Sequence, residues 1–464
     1  MVLPLITAPY LSRVVGADGT GIYAFTYSIA QYFVYFGMLG ISNYGNRGIA
    51  KVRENKNDRN RLFSSIYELQ LITATTAIIA YLVYCIVFVN QNRNIALLQV
   101  FFVASALFDI SWLFWGMENF KVTVTRQIIV KIGSAIGIFV FVKSPSDLWK
   151  YTLILSGGTL LSQVYLFINL KEYVSFSAVS IKEAFSHFKV VFLLVIPIIA
   201  TSIYRVMDKV MIGALGNTTE VGYYEYSDKL ITTCLGVVGS LGSVMLPKMA
   251  NLVAKGDVKQ QNVYLIKSIE VTMFIAFAIA FGIYSVADVF IPFFYGKGFI
   301  QSIPITRVLC TSVPFIAWAN VVRMQYLIPN EKDKTYVVSI LVGAIVNVII
   351  NLSLIPRYGA FGAAIGTLCA EAVVMLIQTT ASANRIPIVS FIGKSIPFFV
   401  IGVLMLVLVR IILRVLLYST QGMFAAILLG GLFYLTVSFV YLYITKNELL
   451  LSFLSSIKKK FRKG

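Results

Sequence analysis

The chain has 464 residues, of which 58% are hydrophobic and 13% charged, and its formal net charge is +19. A soluble domain is about 45–50% apolar and about 25% charged, so the composition excludes an ordinary soluble enzyme. It also excludes nucleic-acid binding as the reason for the charge. The basic residues stand at the ends of long apolar runs, where they set membrane topology.

The first run, MVLPLITAPYLS, covers about 1–12. At helical rise it reaches only ~18 Å, short of a ~30 Å hydrocarbon core. The expectation is a truncated first helix whose start lies upstream. Full-length runs follow near 21–45, 63–89, 95–117, 126–143, 151–170, 190–214 and 222–246, then near 266–290, 303–327, 335–355, 360–382, 395–417 and 422–445. That makes thirteen predicted spans and one stub. The connectors are too short for an independent soluble domain.

Alternate connectors differ in charge. One side begins with the loop 46–62, which holds Arg47, Lys51, Arg53, Lys56, Arg59 and Arg61, and it ends with the tail KKKFRKG. The other side has Arg13, Arg93, Lys143, Lys150, Lys297 and Arg357. The positive-inside rule then puts the 46–62 loop and the C-terminus in the cytoplasm. Cys85, Cys234, Cys310 and Cys369 lie singly in apolar runs and read as small core residues. The single histidine, His187, leaves no material for a zinc centre or a histidine-based triad. No cofactor is expected beyond Na+ or H+ as a coupling ion.

A faint repeat runs through the chain. PLITAPYLSR ends at Arg13 and is followed by a turn and Gly21-Ile22-Tyr23; PIIATSIYR ends at Arg205 and is followed by a turn and Gly222-Tyr223-Tyr224. Transporters are often built from such repeats. The predicted organisation is a first lobe over 1–170, a connector over 171–189, a second lobe over 190–382, two appended helices over 383–445 and a basic tail over 446–464.

PYLSRVVGADGTGIYAF resembles the opening motif of the polysaccharide transport family of flippases, the Wzx-type O-antigen and capsule exporters. FDISWLFWGMENF, MDKVMIGALGNTTEVGYYEYSDKL, LGSVMLPKMA and NLSLIPRYGAFGAAIGTLCAE are similar to its later patterns, in the same order. The resemblance implies an all-α membrane fold of fourteen helices: two six-helix lobes around a central cavity, plus two C-terminal helices. It also implies a polyprenyl-diphosphate-linked oligosaccharide as substrate, with a polysaccharide polymerase and chain-length machinery as partners.

Ionisable residues inside spans usually face a cavity or a partner. Arg205, Asp208 and Lys209 share one helical face, and Glu225, Asp228 and Lys229 repeat the device in the next span. Arg323 and Glu371 lie in later spans, and Asp109 lies beside Trp112 and Trp115, where packing and an interfacial anchor are expected. A cationic cavity suits a diphosphate, because Arg and Lys offset its desolvation. The candidate substrate residues are Arg13, Arg47, Arg205, Lys209, Lys229 and Arg323, the first two on the strength of the resemblance. Asn347 and Asn351 are four apart and share a face. Together with Asp208 and Thr367 they are similar to the sodium site of some lipid II flippases, with Asn351 where an aspartate is usual. Two other readings remain open: a cation-coupled multidrug antiporter, and a membrane polysaccharide polymerase or ligase. The antiporter would want a more acidic cavity, and the enzyme a large external loop.

Overall fold

The structure, a computed structural model, describes residues 2–447, without the side chains at 2–5, 196, 197, 200, 201 and 203–205. The basic tail predicted from the sequence lies outside the described residues. Helices and their connectors make up the described chain, with no strand among them. This is what lipid demands, since each segment must satisfy its own backbone. Among the described residues, ten helices are long and apolar enough to cross a membrane. The chain divides into two compact units, 1–225 and 226–464.

The first unit opens with α1 (Val2–Val14) and α2 (Gly16–Met38). Hydropathy suggested that α2 would continue to 45. It stops at Met38 because Leu39 takes φ 44° and returns its N–H to Tyr35 O. The next stretch, expected as part of a loop, folds as a separate helix α3 (Ile41–Val52). Its stripe Ile41, Gly45 and Ile49 is buried at helical spacing, while Arg47 and Lys51 are exposed. The stripe has a target: a Cβ at Gly45 would meet the Trp112 ring at 2.5 Å, and one at Gly116 would meet Ile49 at 2.7 Å. The helix α4 (Lys56–Val87) begins at Asn55, whose side chain accepts the N–H groups of Asn57 and Asp58 at 3.1 and 3.3 Å.

The predicted span 95–117 is broken into α5 (Arg93–Leu98), α6 (Val100–Phe108) and α7 (Ser111–Gly116). Asp109, at ψ 82°, leaves the helix. The freed carbonyls of Ala106 and Asp109 accept the Gln70 amide at 2.7 and 3.2 Å, and the Gln70 oxygen accepts the Trp112 indole N–H at 3.0 Å. Trp112 is thus fully buried and is not an interfacial anchor. The unit continues with α8 (Phe120–Phe141), α9 (Leu148–Tyr165), α10 (Leu170–Tyr173), α11 (Ile181–Ser186) and α12 (Phe188–Leu215). A clip ties the connector to the bundle: Glu183 pairs with Arg61 at 2.7 Å, and His187 lies between the hydroxyls of Tyr44 (2.7 Å) and Ser65 (3.0 Å).

The division between units falls inside α13 (Thr218–Ala254). The second unit continues with α14 (Val258–Tyr295), α15 (Ser302–Val322), a π-helical turn (Arg323–Leu327), α16 (Asp333–Thr380), α17 (Ile388–Val415) and α18 (Thr420–Ile444). The predicted spans 335–355 and 360–382 both lie in α16, which kinks at Gly359 with φ 54°. Only glycine adopts that conformation without a Cβ penalty. The core is apolar and aromatic, with Phe398 and Tyr434 buried and the Tyr434 hydroxyl bonded to Phe274 O at 2.7 Å.

Two ionic rungs join α14 to α17. Glu270 pairs with Lys394 at 3.1 Å, and Asp288 pairs with Arg410. No charged residue lies between Glu270 and Asp288, nor between Lys394 and Arg410. At 1.5 Å per residue the uncharged segments are about 27 and about 24 Å long, close to the ~30 Å of a hydrocarbon core. The rungs therefore mark the two edges of the apolar slab.

Candidate functional site

In the first unit the intramembrane charges gather where α12 meets the start of α13. Asp208 is 3% exposed and accepts the Tyr224 hydroxyl at 2.6 Å. Lys209 makes a 2.6 Å ion pair with Glu225. The two contacts run in parallel, so consecutive residues of one helix meet consecutive residues of the next. A partly buried ammonium needs an acceptor, and its carboxylate comes from the neighbouring helix. Helical spacing alone had suggested a partner on its own face. The Arg205 side chain lies outside the described residues.

The other first-unit candidates stand apart. Arg13, in the last turn of α1, is exposed and donates to Pro9 O at 2.6 Å. Arg47 is on the exposed face of α3. The two flank α2, whose 23 residues separate them by roughly 35 Å at helical rise.

The repeat noticed in the sequence becomes a physical contact within this unit. A Cβ at Gly21 would lie 1.6 Å from Thr218 O, and one at Gly222 would lie 2.0 Å from Ala17 O. The relation is reciprocal, because each glycine meets the residue four positions before its counterpart. Asp18 seals the contact by accepting the hydroxyls of Thr218 and Thr219 at 3.1 and 3.2 Å.

In the second unit, the Lys229 ammonium lies 5.9 Å from the centroid of the Tyr226 ring. Arg323 opens the π-helical turn and places its guanidinium 5.6 Å from the Tyr336 ring centroid. π-turns inside helices often mark functional positions. Asn347 and Asn351 are buried, and the Asn351 amide donates to Asn347 Oδ1 at 3.2 Å. Gly366 lies against this pair: a Cβ there would stand 2.1 Å from Asn351 Oδ1. The Thr367 hydroxyl donates to Ala363 O at 3.1 Å. These oxygens are of the type a hard monovalent cation takes. All are neutral, and Asp208, the carboxylate grouped with them from the sequence, belongs to the first unit. Among the described residues no group of three or more His, Cys, Asp or Glu gathers to hold a metal.

Arg126, at the start of the predicted span 126–143, is a further ionisable residue inside the bundle. It is 4% exposed and donates to Ser111 Oγ at 3.2 Å, Ser162 O at 3.4 Å and Gln163 Oε1. Ser111 in turn donates to Asp109 Oδ1 at 2.5 Å. A buried polar network thus surrounds the break in the fourth span. Gln70 and Arg126 inside otherwise apolar helices were its sequence signal.

Residues 1–253 match the family described as polysaccharide biosynthesis protein. Two bacterial relatives bear the name "Putative O-antigen transporter". That of Shigella dysenteriae is 22% identical over 384 residues, covering 82% of this chain and 95% of its own. That of Escherichia coli (strain K12) is 22% identical over 393 residues, covering 82% and 93%. Among solved structures, a lipid II flippase MurJ in the inward closed conformation superposes with a TM-score of 0.77 at 17% identity, covering 96% of this chain and 97% of that one. An inward-facing MATE family multidrug resistance transporter of the MOP superfamily gives 0.59 at 12% identity, covering 83% and 97%. At these identities the structural likeness shows the fold, an all-helical transporter fold as expected from the sequence.

Proposed function

The chain belongs to the polysaccharide biosynthesis protein family, and from that premise we propose that it is a flippase for lipid-linked oligosaccharides. The observation that carries this reading is the similarity, across most of the chain, to relatives named as O-antigen transporters. The substrate class is an undecaprenyl-diphosphate-linked repeat unit, moved from the cytoplasmic to the outer leaflet for surface polysaccharide. No bond is made or broken. The headgroup leaves water while the lipid tail stays in the bilayer, and cationic side chains offset desolvation of the diphosphate. Lys209 and Arg205 in the first unit and Lys229 and Arg323 in the second are the proposed contributors.

Alternating access is the proposed mechanism, and the contact of Gly21 and Gly222 with the facing backbones supports it. Two backbones that meet without side chains between them form a thin seal that can part and re-form. The coupling ion is proposed to be Na+, held by the neutral oxygens of Asn347, Asn351 and Thr367, or H+. Glu371, buried at 7% exposure in α16, offers a carboxyl for the second case.

Deleting the gene in its host tests the reading. Surface polysaccharide should disappear, and polyprenyl-diphosphate-linked repeat units should accumulate on the cytoplasmic leaflet. Wild-type polysaccharide together with new drug sensitivity would favour the multidrug antiporter instead. Arg205 is tested by the double change Arg205→Ala with Asp208→Ala. If Arg205 binds substrate, the double variant should reach the membrane and fail to transport, while Arg205→Lys should keep partial activity.

A further inference from the structure

The second unit carries a charged cluster that the transport reading does not use. Asp288 of α14 lies between two arginines from different helices. Its Oδ2 accepts Arg307 of α15 at 2.5 Å and also accepts Arg410 of α17. One carboxylate oxygen thus serves two guanidiniums, and one positive charge is left over. Arg414 stands one turn beyond Arg410 on the same face, exposed and with no ion pair among the described residues.

The position of the cluster narrows what could bind there. Asp288 and Arg410 form the second ionic rung, at the edge of the uncharged slab and on the side the sequence leaves poor in Lys and Arg. The cluster is open to its surroundings: the side chains of Arg307, Arg410 and Asp288 are 25%, 24% and 30% exposed. On α17 the arginines end a stripe formed by Val403, Val407 and Ile411, which are 36%, 48% and 53% exposed. An uncovered stripe of branched aliphatics in a membrane protein is a lipid-facing surface. Arg410 gives a second N–H to Tyr284 O at 3.4 Å, whereas exposed Arg414 makes no ion pair among the described residues, so its guanidinium is open to a ligand. Guanidinium forks match the geometry of phosphate oxygens. By taking one N–H from each arginine, Asp288 holds both forks at the level where lipid phosphates lie.

We infer that Arg307, Arg410 and Arg414, positioned by Asp288, form a binding site for the phosphodiester headgroup of an anionic phospholipid in the adjacent leaflet. The site binds a structural lipid, and the inference does not depend on which substrate is transported.

The test uses the full chain, delipidated in a neutral detergent. Short-chain phosphatidylglycerol is titrated while thermal stability is followed, and retained lipid is counted by native mass spectrometry. Phosphatidylcholine, inorganic phosphate and farnesyl diphosphate serve as comparators. Phosphatidylglycerol should raise the melting temperature and remain bound, with each comparator weaker. Arg410→Gln and Arg414→Gln should each weaken it roughly fivefold, the value of one basic residue at an anionic surface. Asp288→Asn should leave binding unchanged or tighter, because the amide oxygen can still accept both N–H groups while the competing negative charge is gone. A purely structural ion triad predicts instead that Asp288→Asn and Arg410→Gln fail alike, and that result would overturn the site. Equal stabilisation by inorganic phosphate would assign it to a free anion, and tighter binding of farnesyl diphosphate to the transported class; either removes the phospholipid. If Arg410→Gln cannot be purified, Arg414→Gln decides, since Arg414 makes no ion pair among the described residues, and unchanged affinity there refutes the inference.

Discussion

Replacing Gly222 with alanine would place a Cβ 2.0 Å from Ala17 O and 2.8 Å from Ala17 C, both backbone atoms that cannot rotate away. To restore ordinary contact the two backbones must part by about 1.4 Å, and by about 1.8 Å for Gly21→Ala against Thr218 O. Overpacking of this kind costs about 1–3 kcal/mol, which shifts a two-state equilibrium roughly 5–150-fold. The closed contact should therefore give way to the parted state. A cysteine at Ala17, in a background carrying Cys234→Ser and Cys369→Ser, reports this through its rate of labelling by a membrane-impermeant maleimide. Labelling should accelerate in Gly222→Ala, and more in Gly21→Ala. Gly213→Ala should have a smaller effect, because the atoms nearest its Cβ are those of the Phe25 ring, at 2.2 Å, and a side chain can move. Gly133→Ala, with nothing within 4 Å, should be neutral or stabilising by up to about 1 kcal/mol of helix propensity. If the Gly21 and Gly222 variants label and melt like Gly133→Ala, the close approach is not present in the membrane.

Three further expectations follow from the same structure. Gln70→Leu keeps the volume but strands the Trp112 indole N–H and two carbonyls, at roughly 1–3 kcal/mol for each buried group left unpaired; an unchanged melting temperature in detergent would contradict the network. Burial holds the His187 pKa below its ordinary value, with Glu183 pulling the other way. The stabilising neutral form is therefore complete above about pH 6.5 and is lost as pH falls through the lowered pKa. Melting temperature should fall over that window, and less so in His187→Gln; equal slopes would exclude His187. Asn351→Leu should abolish any sodium-dependent gain in thermal stability, because it removes one of the proposed oxygen ligands. A wild-type protein with no such gain would leave Asn347 and Asn351 as a packing contact.

The sequence by itself determined the membrane class, most of the spans and the family. Those properties are written in local hydropathy and in short motifs read along one chain. It also supplied Lys209 and Asp208 as ionisable residues within a span, and the repeat containing Gly21 and Gly222. The partners were decided only by tertiary structure. Spacing along a helix proposes neighbours at three and four residues, yet Lys209 meets Glu225 on the next helix. Gly222 meets Ala17 from about two hundred residues away. Arg126 is enclosed by residues of three helices, and Asp288 became the hub of two arginines only when α14, α15 and α17 packed together. Hydropathy likewise could not see where α2 stops or where the fourth span breaks. Gly40, next to Leu39, donates to Val191 O at 3.2 Å, and Asp109 O accepts the Gln70 amide, so both breaks are held by bonds from distant parts of the chain.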